Sequence, residues 1–408
     1  MRVQILQEGA SATSLQPMAM APSTGPLPTS YGPWRPRAVL GATSPGGLLL
    51  PDAHPTAAHL YAPRGVAVTR DHVIVSDTGN HRVLVFDAHP DRDGTEASIV
   101  LGQADDRSEG PQAAGRGADG GMNLPCGVLV SDGRLVVADA WNHRILVWNE
   151  MPSRTDTRPD VVLGQSLTDA VEPNRGGEPS ATSFYWPFGI GMVGGSFVVA
   201  DTGNRRVLIW SAGIPLDPAT PADVVLGQDS AGDREENRGG AVSASSFRWP
   251  HAVAGTGQGG LLVADAGNHR VLGWSSIPTQ DEPADFVLGQ PDLTTAVEFP
   301  YRPQVGTVFR FPYGLTTLLS ASGTGLAVAD TANNRVLVWD DCPADASAHP
   351  DHVLAQRDFG KNGENRWEHV DRDTLCWPYG LGSYDDGSSH LLAVADSGNN
   401  RVVLWERP

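Results

Sequence analysis

Asp77, Asn80 and Arg82 stand in one short phrase, Ser76-Asp77-Thr78-Gly79-Asn80-His81-Arg82-Val83-Leu84-Val85-Phe86, and the chain writes that phrase six times. The later copies carry Asp139/Asn142/Arg144, Asp201/Asn204/Arg206, Asp265/Asn268/Arg270, Asp330/Asn333/Arg335 and Asp396/Asn399/Arg401. A carboxylate, an amide and a guanidinium at this spacing could handle protons or anions. Their repetition points elsewhere. Six equal copies serve six equal turns, whereas a catalytic group should break the symmetry. The expected roles are therefore structural. Asp accepts backbone N–H bonds across its own turn, Gly or Asn takes a left-handed position, and Arg pairs with an acid while its stem packs over the sheet.

The informative positions are those where the copies differ. A Pro-x-Gly phrase precedes each copy, and its middle residue reads Arg64, Cys126, Phe188, His251, Tyr313 and Tyr379. In the His251 copy the glycine is replaced by Ala252. The residue before the proline reads Ala62, Leu124, Trp186, Trp249, Phe311 and Trp377, and the one before that Tyr61, Asn123, Tyr185, Arg248, Arg310 and Cys376. Aromatic rings and three arginines (Arg64, Arg248, Arg310) converge on one region. Such residues dominate protein–protein hot spots, so the expected ligand is a partner with an acidic or aromatic anchor.

Covalent and metal chemistry find less support. Cys126 and His251 belong to copies two apart, which separates them as a nucleophile and base. Cys126, Cys342 and Cys376 form an odd, sparse set without CxxC spacing, against a disulfide framework or a structural zinc. Ser-His-Asp catalysis has no supporting motif. The expectation is no catalytic residue, no metal and no cofactor.

The elements that must position these residues read plainly. Between Pro125 and Gln165 the chain gives a short apolar strand (Gly127 to Val130), a turn, a second strand (Leu135 to Ala138), a tight turn, a third strand (Arg144 to Trp148) and, after a Pro-rich link, a fourth (Val161 to Gln165). Each is about the usual five residues. Four antiparallel strands repeated in a ring make a β-propeller. The fourth-strand phrase recurs at Ile99–Gln103, Val224–Gln228, Phe286–Gln290 and His352–Gln356, but the last copy ends after its third strand at Trp405. The missing phrase stands at the other end, as Arg37-Ala38-Val39-Leu40-Gly41. The predicted fold is all-β: a six-bladed propeller over residues 37–408, with the N-terminal strand completing the last blade so that no edge is orphaned. Residues 1–36 are expected to be a flexible tail rich in Ser, Pro, Ala and Gly.

Composition agrees. Of 408 residues 40% are hydrophobic, and 47 Gly with 32 Pro suit many short strands and turns. The formal charge of −18, with Lys361 the one lysine, disfavours nonspecific binding to nucleic acid or an anionic membrane. No stretch reads as a signal peptide or membrane span, so the expected location is cytoplasmic.

The phrase Asp-x-Gly-Asn-His-Arg-Val-Leu-Val-Trp resembles the NHL repeat, and Val-Leu-Gly-Gln resembles a strand of bacterial NHL proteins. The resemblance covers Arg37 to Trp405. It implies a free-standing propeller of a kind that serves as a protein-interaction platform, an RNA binder, a sensor or, more rarely, a lyase. Free-standing bacterial members can accompany metalloenzyme systems, including hydrogenases. The amidating lyases of this fold hold zinc with several pore histidines, but only His251 occupies a channel-mouth position here. Six-bladed lactonases use an inner-strand Glu, and none stands on the Pro-x-Gly strands. The resulting expectation is a non-catalytic scaffold that binds another protein through its loop-rich top face. A small-ligand or catalytic funnel is the first alternative and RNA binding the second.

Overall fold

A computed structural model describes residues 27–41, 54–298, 304–320 and 323–408. Runs rich in Val, Leu, Ile and Ala, cut by Gly and Asp turns, form six antiparallel sheets of four strands each. Blade 2 is representative: Val128–Ser131, Arg134–Asp139, Arg144–Trp148 and Val161–Leu163. In its third strand every residue is buried, because neighbouring blades cover both faces. One apolar cluster fills each of the six junctions between blades; Ile74, Val83 and Val85 of blade 1, for example, meet Leu135, Val137 and Trp148 of blade 2. The ring closes where the first strand of blade 6, Pro378–Asp385, packs on that of blade 1, Gly65–Val68.

The seam lies in blade 6. Strand Arg35–Gly41 pairs antiparallel with Arg401–Arg407, with Val39 opposite Val403 and Leu40 opposite Val402. The packed chain begins earlier than the expected boundary at residue 36. Thr29–Tyr31 form a 3-10 turn, and Tyr31 and Trp34 are fully buried. Tyr31 meets Trp405 edge-on at 5.4 Å, and its hydroxyl donates to the carbonyl of Asp373 at 3.0 Å. These two aromatics clamp the seam. The expected tail before residue 27 lies outside the described residues.

The repeated aspartate does more than expected. Asp201 is fully buried. Its Oδ2 accepts from Asn204 Nδ2 and Arg206 Nε, both at 2.8 Å. Its Oδ1 accepts not across its own turn but from the backbone N–H of Tyr185, sixteen residues earlier, at 2.7 Å. Asp77, Asp139, Asp330 and Asp396 make the same long-range bond to Tyr61, Asn123, Arg310 and Cys376. The arginine completes the tie. Arg206 Nη2 donates to the carbonyls of Ser180 and Ser183 in the incoming loop, and Nη1 to Ala231 in the outgoing one. The guanidinium thus packs inside the ring and fastens the loops that precede and follow its blade. The recurrent loop asparagines join in: Asn174 donates to Asn204 Oδ1 at 3.0 Å, and Asn237 accepts from Asn268 at 2.9 Å.

Removing one partner of a buried pair strands the other charge. Asp201→Ala is expected to lower stability by about 3–5 kcal/mol. The urea midpoint and slope of purified protein would measure it. A loss under about 1 kcal/mol, within the range of an exposed pair, would show that the tie does not hold the blade.

Candidate functional site

The Pro-x-Gly phrase sets the middle of the ring. A Cβ on Gly65 would sit 1.8 Å from the carbonyl oxygen of Cys126, and one on Gly380 2.4 Å from that of Arg64. Glycine is required because the innermost strands touch here. This closeness stacks the variable residues on one another. Phe188 lies on His251 (4.6 Å, 12° between planes), His251 on Tyr313 (4.3 Å) and Tyr313 on Tyr379 (4.7 Å, 19°). The Arg64 guanidinium lies 4.9 Å over the Tyr379 ring, and Cys126 follows beside it. The channel at this ring holds about 80 Å³, lined by Arg64, Cys126, Phe188, His251 and Tyr313 together with Val66, Val128, Ile190, Val253, Leu315 and Leu381.

Apart from the Arg64 guanidinium the ring is electrostatically quiet. Burial, with the Arg64 charge nearby, pushes His251 down to about 3, so the imidazole is neutral. Burial pushes the Cys126 thiol up to about 12. A thiol held protonated is a poor nucleophile, and Phe188 separates it from His251. Among the described residues no three His, Cys, Asp or Glu side chains come together in a way that could hold a metal ion.

A second series straps each blade to the next. Five residues before the prolines, Ala62, Leu124, Trp186, Phe311 and Trp377, sit in the left-handed region with φ between 46° and 54°. Each donates its N–H to the turn of the previous blade. His81 Nδ1 accepts from Leu124 (3.1 Å), His143 Nδ1 from Trp186 (3.1 Å) and His269 Nδ1 from Phe311 (3.3 Å). Asn334 Oδ1 accepts from Trp377 and Asn400 Oδ1 from Ala62, both at 2.9 Å. The sixth position is Arg205, which has only donors. There Trp249 leaves the left-handed region, and its N–H turns to Asp265 Oδ1 at 3.3 Å. The neighbouring bond shifts as well. Elsewhere the turn bonds the residue two before proline, as Gly203 bonds Tyr185; in blade 4 Ala266 bonds Trp249 itself.

An aromatic cup of about 310 Å³ opens at this break. Trp141, Tyr185, Trp186 and Trp249 wall it, the stacked ring from Phe188 to Tyr379 floors it, and Arg64 and Arg205 also line it. No carboxylate does. Trp141 lies 5.4 Å from Trp186, and Tyr185 lies 4.6 Å from it.

Residues 60–86 and 123–148 match the NHL repeat family. The propeller carries NHL repeats. No curated protein matches the chain. An auxiliary nutrient binding protein from Bacteroides thetaiotaomicron superposes with a TM-score of 0.52 at 10% identity, over 92% of this chain and 76% of that one. A streptogramin B lyase gives 0.43 at 10% identity (88% and 96%). The PQQ-bound aldose sugar dehydrogenase from Streptomyces coelicolor gives 0.46 at 14% (93% and 99%). At these identities the likeness is one of fold.

Within the propeller, seven of the expected mouth residues gather at the cup: Arg64, Trp186, Phe188, Trp249, His251, Tyr313 and Tyr379. Cys126 is buried in the ring behind them. The expected trio of arginines divides. Arg248 pairs with Glu236 at 3.1 Å while lying over Trp249, and Arg310 pairs with Glu298 at 2.7 Å. Trp377 stands outside the cup and donates its indole N–H to Glu364. Sequence reasoning did not place Trp141 or Arg205 in the site, and named Tyr185 only as a flanking position. Both omissions had a signal: Trp141 stands where the other turns carry Gly or Ala, and Arg205 where they carry His or Asn.

The strap histidines must be neutral to accept. Burial lowers His143 to about 4, below its ordinary 6.5. The unfolded chain therefore takes up the proton first as pH falls. The strap's contribution is complete above about 6.5 and is lost between 6.5 and 4. His143→Asn, the residue used for the strap from blade 5, is expected to leave neutral-pH stability within about 1 kcal/mol. It should also remove one proton's share of the acid slope, about 1.4 kcal/mol per pH unit. Urea unfolding from pH 4 to 7 measures this; identical slopes for both proteins would refute it.

Proposed function

We propose that the protein is a non-catalytic binding platform that holds a partner protein on its top face, the end of the ring that carries the Asp–Asn turns and the long loops leading into each first strand. One observation carries this reading. Among the described residues every strongly exposed aromatic stands on that face: Tyr61 (43%), Trp141 (43%), Trp249 (36%), Trp367 (76%) and Trp377 (44%). They rise from the turns and loops of blades 1, 2, 4 and 6, so they form a crown rather than a single patch. Exposed indoles in such number signify an interaction surface, and Trp and Tyr supply large contact area at low entropic cost. The buried Asp–Arg ties fix the loops that bear the crown, which lowers the ordering cost of binding. The charge of −18 works against nucleic acid as the partner. Service to a metalloenzyme system is the narrower form of this proposal that the family resemblance implies. No helix is long and apolar enough to cross a membrane among the described residues.

The test uses the part of the crown that lies outside the cup. Wild type and a Trp367→Ala/Trp377→Ala variant are used as bait in native extract, with circular dichroism confirming the fold. Each hot-spot indole contributes about 2 kcal/mol or more, so a true partner should fall at least about tenfold in recovery on the variant. If everything captured by the wild type is captured equally by the variant, the crown is not the interface.

A further inference from the structure

The cup between blades 2 and 4 shares Trp141 and Trp249 with the crown but has a chemistry of its own. Its volume of about 310 Å³ lies at the lower end of the range of roughly 300–1,000 Å³ in which small-molecule sites fall. Its walls are indole and phenol rings, suited to a flat aromatic body. The two cations that line it are the unusual element. Neither Arg64 nor Arg205 has an ion-pair partner among the described residues, in a chain with 47 acidic groups. The Nε of each is buried without a hydrogen-bond partner. Arg205 Nη1 donates to the carbonyls of Gly203 and Arg234; the remaining Nη donors, with no carboxylate lining the cup, favour an anion, and a carboxylate matches their planar fork.

Arg205 also shapes the cavity. It stands where five sister turns supply an acceptor, and because it cannot accept, Trp249 takes a different backbone conformation from its five counterparts. One substitution in the repeat thus supplies a cation and moves a wall. The other junctions keep their strap and show how the site would close.

We propose that this cup binds a small aromatic carboxylate, its ring held among Trp141, Trp186 and Trp249 and its charge met by Arg64 and Arg205. The proposal is tested apart from the protein-platform reading, since Trp367 and Trp377 do not line the cup.

The full chain is titrated by calorimetry with 2-naphthoate and, in parallel, with the uncharged 2-naphthamide. Saturable one-to-one binding of the carboxylate is expected, with the amide at least about tenfold weaker, since hydrogen bonds to a charged group contribute about 1.5–3 kcal/mol. Arg64→Met and Arg205→Met should each weaken naphthoate by about tenfold. Arg205→His, which installs the residue of three sister turns and so suits the fold, should abolish binding by restoring the strap to Trp249. Trp367→Ala/Trp377→Ala should bind naphthoate as the wild type does. Equal affinity for acid and amide, no binding of naphthoate up to millimolar concentration, or unchanged binding by Arg205→His would each overturn the proposal.

Discussion

Each blade hangs on one buried carboxylate. In blade 3 the Asp201 oxygens accept from the turn amide of Asn204, from the strand guanidinium of Arg206 and from the loop N–H of Tyr185. A single side chain thus joins three segments that the sequence holds apart. The arginine extends the tie to carbonyls of both flanking loops, which would otherwise lack partners in the interior. A buried ion pair need not add net stability over an apolar substitute. What this one adds is position, because an apolar substitute could not fasten four backbone groups at fixed places. The crown and the cup both stand on loops held in this manner.

The ring geometry follows from a second constraint, the missing Cβ of the Pro-x-Gly phrase. Innermost strands approach until a carbonyl of one blade occupies the space a side chain would need. The neighbouring residues are then stacked, so Phe188, His251, Tyr313 and Tyr379 form a floor rather than an open funnel. Arg64 and Cys126 complete it, and this is why an imidazole and a thiol on one mouth remain inert toward each other.

The sequence made the six blades, the four strands of each and the seam at residues 37–41 legible, because repeat number and the displaced Val-Leu-Gly phrase are countable. The site was legible where it depended on positions at which the repeat copies differ, as for Phe188, His251, Tyr313 and Trp249. Local turn chemistry suggested that the aspartate serves its own turn; its reach to a loop sixteen residues back depends on how that loop docks. The pairing of Arg248 with Glu236 and of Arg310 with Glu298 was hidden for the same reason. Arg205 is instructive in another way. Its neighbours show that the position calls for an acceptor, but the purpose of an acceptor there emerges only once the next blade's N–H is seen to need one.

The seam has a bearing on time as well as on shape. The ribosome makes strand Arg35–Gly41 before five whole blades, and its partner Arg401–Arg407 after them. Through most of synthesis the early strand has no ladder to join, and five blades stand as an open arc with an uncovered apolar flank at each end. Contacts so distant along the chain form slowly, and unpaired edges invite association with other chains. The burial of Tyr31 and Trp34 at the seam therefore comes into play only once the ring has closed. The nascent arc is the state most exposed to aggregation, and closure covers both of its open flanks.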